Sequence, residues 1–414
     1  MMKTPWGACL ALALTAAQAQ AVLVPNLTGD RVETLPRHRF MVSATQFYST
    51  LDHHYKLDGS RESLADNFNR AIPWSEITQD DPTRTAELEG LLRSQGVDPA
   101  GDAGSFTGTF RGRLHTVVPV VGYGITDRVN LFVVVPIVNF QGEARMAYNA
   151  SPAAETLGKN LATNQMQGAS REFAVALNHG FDDQMKERGY SFNRSENRTL
   201  IGDAQVVMPM ALSAPADRVR WALQPMLSIP TGRLAATDDL YRISSGSGAW
   251  TPGCKGIMSW KAWRRFELVG STYAQTALPH RRNSRVPRQN MDELMRDTES
   301  NLSIGPGLNY GAQLENRLAL TRSWTLRGGL QHQHALKRSV KGSRYDRSRY
   351  GVLADATEER LDNAYAVLEF NTLQAFLDKD FLFPSQVAVG ASWPLAGKNT
   401  VADPLYMLQL ALFF

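Results

Sequence analysis

The sequence predicts an all-β protein: a transmembrane, antiparallel outer-membrane β-barrel of about 12 strands with long, partly helical external loops. Three observations carry this. Apolar residues recur at period two in segments of membrane-crossing length. Short polar connections alternate along the chain with long charged ones. The last ten residues form one apolar stripe, with Tyr406, Leu408, Leu410, Leu412 and Phe414 on the same side.

The chain has 414 residues, more than one ordinary soluble domain needs, and no Pro/Gly/Ser-rich linker divides it. Its hydrophobic content of 43% and mean hydropathy of -0.28 resemble those of a soluble protein. A barrel gives the same average, because only alternate residues of each strand meet lipid. Residues 1–21 read as a signal peptide. Lys3 supplies the positive charge, residues 7–16 the short apolar run, and Ala17-Gln18-Ala19 or Ala19-Gln20-Ala21 the small-x-small cleavage site. That run is shorter than the roughly 20 apolar residues of a spanning helix. Cys9 lies inside it, so a processed chain keeps only Cys254 and has no internal disulfide. Residues 22–37 are expected to be a short periplasmic segment, and residues 38–414 the barrel.

Taken in order, residues 38–50 form the first strand, with Phe40, Val42 and Ala44 on one face. In residues 110–124, Leu114, Thr116, Val118 and Val120 alternate with Arg111, Arg113 and His115, and the apolar set is expected to face lipid. Val129, Leu131, Val133, Val135 and Ile137 make one face of the third strand. Residues 199–212 and 219–229 form the next pair, followed by 251–263 and 266–276. A long strand at 302–320 sets Leu308, Tyr310, Leu314 and Leu318 against Asn309, Gln313, Glu315 and Arg317. Residues 324–335, 363–373, 385–393 and 405–414 complete the set.

The turns at 125–128, 214–218, 264–265 and 321–323 are short. The long connections are 51–106, 142–198, 231–250, 277–301 and 336–362, and the pattern places them outside the cell. Within them, residues 84–93, 153–165 and 171–188 have helical composition; these loops either cover the mouth or fold inward as a constriction, or remain solvated. Tyr48, Trp221, Trp250, Trp260, Trp263, Trp324, Trp393 and Tyr406 gather near strand ends, as interfacial aromatic girdles do.

Residues 120–138 read VVGYGITDRVNLFVVVPIV, and residues 229–233 read IPTGR. The strand–turn–strand unit resembles the outer-membrane family named for the meta-pathway of phenol degradation, over strands two to five. The terminal Phe414 resembles the signal by which outer-membrane barrels are recognised for assembly. The resemblance implies a channel or passive transporter for small, often aromatic, molecules. Gly122 and Gly124 are expected to permit the turn, and Asp127-Arg128 to keep it in water.

On the facing assigned above, the lumen holds Arg111, Arg113, Asp203, Arg220, Lys255, Lys261, Glu267, Glu315, Arg317, Arg327 and Glu369. Gln205, Gln224, Gln275, Asn309, Gln313, Gln331 and Asn371 lie between them. Such charges in a wall require water or partners. They imply either a polar pore mildly preferring anions or a closed salt-bridge network. An outer-membrane lipid hydrolase built from His332 or His334 with Ser259, Ser271 or Ser392 is the remaining alternative, but no G-x-S-x-G elbow supports it. The chain is therefore expected not to be an enzyme, to need no cofactor and to carry no catalytic or metal site. Basic runs at 280–285 and 337–349 fit lipopolysaccharide phosphates better than nucleic acid. The expected partners are outer-membrane lipid and lipopolysaccharide, the barrel assembly machinery and a small permeant, with the chain a monomer.

Overall fold

In the computed structural model, residues 26–66, 69–74, 82–163, 189–191, 195–239, 243–287 and 297–414 are described. The expected signal peptide and the helix at 171–188 lie outside them. Twelve antiparallel strands close into a barrel. They are β1 (Phe40–Thr50), β2 (Asp102–Thr126), β3 in two pieces (Val129–Val134 and Ile137–Ala150), and β4 in three (Ser195–Ile201, Ala204–Val207 and Met210–Ala211). Then follow β5 (Val219–Ile229), β6 (Thr251–Trp263), β7 (Phe266–Ala277), β8 (Gly307–Ala319), β9 (Trp324–Ala335), β10 (Glu359–Asn371), β11 (Ser385–Lys398) and β12 (Leu405–Phe413). Each strand pairs with its sequence neighbour, and β1 closes the ring on β12 from Met41↔Phe413 to Ser49↔Leu405. Closure leaves no edge with unpaired backbone groups, as a lipid environment demands. Among the described residues no helix is long and apolar enough to cross a membrane.

The side-chain pattern is inverted relative to a water-soluble sandwich. On β8, Leu308, Tyr310, Leu314 and Leu318 are exposed, while Asn309, Gln313 and Glu315 are buried. The exposed face is the lipid face. All eight aromatics expected in girdles are exposed on the outer wall. Trp221, Trp260, Trp263 and Trp324 lie toward the short-turn end. Tyr48, Trp250, Trp393 and Tyr406 lie toward the long-loop end, where Tyr48 pairs directly with Tyr406.

Strand boundaries differ from expectation where strands outgrow the membrane. β2 begins at Asp102 and β3 ends at Ala150, paired from Gly104↔Ala150 to Val117↔Ile137, so much of what read as loop is a protruding ribbon. The strand expected at 302–320 is two elements. Asp297–Ile304 pairs with His280–Val286 and Val340–Lys341 in a small external sheet, and β8 starts only after Gly305-Pro306. A helix, α3 (Arg347–Asp355), packs on that sheet around Val286, Leu302, Ile304, Val340 and Tyr350. Two earlier helices, α1 (Pro82–Ser94) and α2 (Pro152–Thr163), bury Leu88, Leu92 and Leu157 with Trp74 and Ala103 at the tip of the ribbon. They therefore form an external knob. Residues 243–247, in the connection before β6, fold inward: Ile243, Ser244, Ser245 and Ser247 line the lumen.

The segment at 26–37, expected as a periplasmic tail, runs inside the barrel. Leu27 is fully buried among Phe47, Tyr365, Val367 and Met407. At the short-turn end the Thr34 hydroxyl donates to the Asp127 carbonyl, and Arg37 N donates to the Asp127 carboxylate at 2.9 Å. Gly122 and Gly124 precede the turn rather than form it. A Cβ on Gly122 would meet the Phe132 ring at 2.0 Å, and one on Gly124 would meet Pro36 O at 2.2 Å. Both glycines make room on the inner wall, for a ring and for the incoming chain.

Candidate functional site

The lumen has two unlike sides. On the β5–β10 side, inward positions carry Arg220, Lys255, Glu267, Glu315, Arg317, Arg327 and Glu369, as the alternation predicts. The N-terminal segment completes their pairing. Asp30 meets Lys255 Nζ at 2.8 Å and accepts a hydrogen bond from the Ser271 hydroxyl. Arg31 donates to Glu369 at 2.7 Å and to Gln386 at 2.8 Å. Glu33 meets Arg220 at 2.5 Å, and Arg220 meets Glu267 at 2.6 Å. Arg317 Nε bonds Glu315 at 2.6 Å and its Nη1 approaches Glu267 at 3.7 Å, while its Nη2 donates to the Asp30 carbonyl. Arg327 sits 3.3 Å from both Glu315 and Glu369 and donates to the Leu27 carbonyl at 3.0 Å.

Five cations (Arg31, Arg220, Lys255, Arg317 and Arg327) thus face five carboxylates (Asp30, Glu33, Glu267, Glu315 and Glu369). Their formal sum is zero. The network thus adds no net charge of its own that would favour anions over cations.

Four expected lumen residues stand elsewhere or serve otherwise. Arg111 and Arg113 are exposed on the outer face, while Leu114, Thr116, Val118 and Val120 face the lumen. The sequence assignment is inverted on β2. Its charged residues lie on the ribbon toward the external end, in reach of water, so the lipid-facing rule does not govern them. Lys261 keeps inward parity but is exposed at the short-turn rim, beside the register shift between Lys261 and Trp263. Asp203 is buried in the wall as an anchor: its carboxylate accepts from Gly232 N at 2.9 Å and Ser247 N at 2.7 Å, holding the inward loop.

The β1–β4 side of the lumen is largely apolar, with Phe47, Leu114, Val118, Val120, Phe132, Val134, Val138 and Phe140. Between the two sides lies a cavity of about 1160 Å³, also lined by Gln205, Gln224, Gln275, Gln331 and Asn371. The roof is apolar: Leu51, Leu64, Phe110, Phe140 and Ile243 cluster at the external end.

The hydrolase constellation is taken apart by the wall. Ser259 and Ser271 face inward, bonded to Glu267 and Asp30, and Ser392 lines the cavity. His332 and His334 are on the outer face, with His332 2.6 Å from Asp362 and His334 3.0 Å from the Tyr310 hydroxyl. The residues that sequence reading missed are those of the segment 26–37, whose partners lie up to 355 positions away.

No family model matches this sequence, and no curated protein matches it. Among solved structures, an outer-membrane channel of Pseudomonas putida F1 superposes with a TM-score of 0.52 at 13% identity, covering 95% of this chain and 100% of its own. The fold is therefore shared with an outer-membrane channel. Two further matches are more distant. The Pseudomonas putida toluene transporter TodX has a TM-score of 0.29 at 8% identity, over 97% of this chain and 92% of that one. A Pseudomonas aeruginosa FadL homologue has a TM-score of 0.31 at 9% identity, over 91% and 90%. At those scores neither bears on the reading of this chain. The architecture is that of a bacterial outer-membrane barrel.

Proposed function

We propose that this chain is a monomeric, narrow passive channel for small molecules in the bacterial outer membrane, related to the meta-pathway family that its 120–138 segment resembles, and not an enzyme. The cavity between an apolar wall and an internally neutralised polar wall carries this reading. A solute passing there meets a greasy surface on one side and polar groups on the other. The five cations and five carboxylates of the polar side neutralise one another, so that network offers no net charge to trap an ion or exclude it. The outer-membrane channel that shares the fold supports the reading. Outer-membrane lipid, lipopolysaccharide and the barrel assembly machinery are the partners proposed with this reading.

A closed structural barrel is the second reading, favoured by the completeness of the ion-pair network. Planar-bilayer conductance and liposome flux with purified, folded protein separate the two. Discrete current or solute flux establishes the channel. Silence from the intact chain and from a chain lacking 26–34 establishes the closed barrel.

A further inference from the structure

The cavity wall on β7 to β11 contains polar groups that the ion-pair network does not use. Asn363 is 1% exposed, and both its amide oxygen and its amide nitrogen are without a hydrogen-bond partner. Ser392 is fully buried with its hydroxyl likewise unpaired, as is the hydroxyl of Tyr273. All three residues line the same cavity. The sheet register brings Asn363 and Ser392 together, since Ser392 pairs with Tyr365, two residues from Asn363. Asn363 pairs with Pro394, two residues beyond Ser392, and with Gln331 on β9. Tyr273 lies opposite Gly311, which in turn lies opposite Gln333. A Cβ on Gly311 would come within 2.5 Å of Tyr273 Cε1 and 2.9 Å of its Cζ. The missing side chain lets the tyrosine ring lie across β8, carrying its hydroxyl toward β9.

A buried polar group without a partner costs about 1–3 kcal/mol, so such groups gathered on one stretch of wall mark a place where a partner belongs. All three are uncharged, and they offer both donors and acceptors. A charged ligand would lose its hydration there, and none of the three groups offers it a counter-charge. A pure hydrocarbon would leave the three groups orphaned. The far side of the cavity is the apolar surface of Leu114, Val118, Val138 and Phe140. We infer that Tyr273, Asn363 and Ser392 form a binding subsite for an uncharged solute that carries an amide or hydroxyl group on an apolar body. This names the substrate class for the proposed channel, and in that respect rests on it.

Benzamide is the probe, with toluene as the hydrocarbon control and benzoate as the charged one. Binding is measured by calorimetry on the full folded chain in detergent, independently of transport. Benzamide is expected to bind about tenfold tighter than either control, the difference of one or two well-made hydrogen bonds. Tyr273→Phe, which removes only the hydroxyl, and Asn363→Leu are each expected to weaken benzamide several-fold and leave toluene unchanged. Heat-modifiable gel mobility verifies folding of both; should Asn363→Leu not fold, Tyr273→Phe carries the test. Equal affinity for benzamide and toluene, or no effect of the variants, overturns the subsite and leaves those groups to water. Toluene flux through liposomes without benzamide binding overturns the subsite and keeps the channel. Benzamide binding without any flux keeps the subsite and overturns the channel.

Discussion

Arg327 is held by groups from three parts of the chain: Glu315 on β8, Glu369 on β10 and the Leu27 carbonyl of the N-terminal segment. Its parity alone gave its inward facing. What it binds could not be read, because two partners lie on neighbouring strands and the third on a segment without periodicity. Replacing it by Met leaves Glu315 with Arg317 and Glu369 with Arg31, so both carboxylates keep one cation. Arg327→Met is expected to destabilise the barrel by roughly 3 kcal/mol at most, the lower end for a broken buried pair. A lower temperature for the unheated-to-heated mobility shift on a gel would register it; an unchanged midpoint would show the network to be dispensable. At the external sheet, His280 is a second case. Burial first, and then Arg338 beside it, hold its imidazole down to about 4 from 6.5. The sign follows from linkage: between those pH values the unfolded form binds a proton that the folded form does not. The sheet should keep its full stability above pH 6.5 and lose it as pH falls toward 4. Hydrogen exchange of the paired strands 280–286 and 297–304 at pH 7 and pH 5 reads this, and His280→Gln should flatten the difference.

At the scale of elements, the segment 26–37 contributes Asp30, Arg31 and Glu33, a net charge of -1, to a wall whose Arg220, Lys255, Arg317, Arg327, Glu267, Glu315 and Glu369 sum to +1. Deleting 26–34 removes both the filling and the neutralisation. Larger single-channel conductance and a shift toward anion selectivity are expected in planar bilayers, with the fold retained. A deletion variant of unchanged conductance and selectivity would remove the segment from the permeation path. Sequence patterning did not find this plug because a short polar stretch has no period; its meaning lies wholly in distant partners. The β2–β3 ribbon misled for a related reason. Alternation says which residues share a face, and lipid contact usually says which face is which. Where strands extend past the bilayer, as with Arg111 and Arg113, the outer face meets water and the second rule lapses. β8 and β9 obey both rules, and their facing was legible residue by residue.

The whole molecule follows from one constraint: backbone groups in hydrocarbon must all be paired, so the strands close and the apolar residues go outward. That constraint made strand number, parity, the alternation of short and long connections and the aromatic belts readable from the chain, while leaving the contents of the lumen open. It also makes the lipid face testable by depth. Leu314 pairs with Leu330 midway along β8 and β9, both exposed on the outer wall, whereas Leu308 lies at the long-loop end of β8. Arginine is costly on a barrel's lipid face at the bilayer midplane, by about 2–4 kcal/mol, and nearly neutral at the interfaces. Leu314→Arg should therefore lower folding stability in lipid vesicles by that amount, and Leu308→Arg by roughly 1 kcal/mol or less. Denaturant titrations in vesicles measure both. Equal costs at the two positions would mean that the membrane does not cross the barrel at the level set by the two aromatic belts.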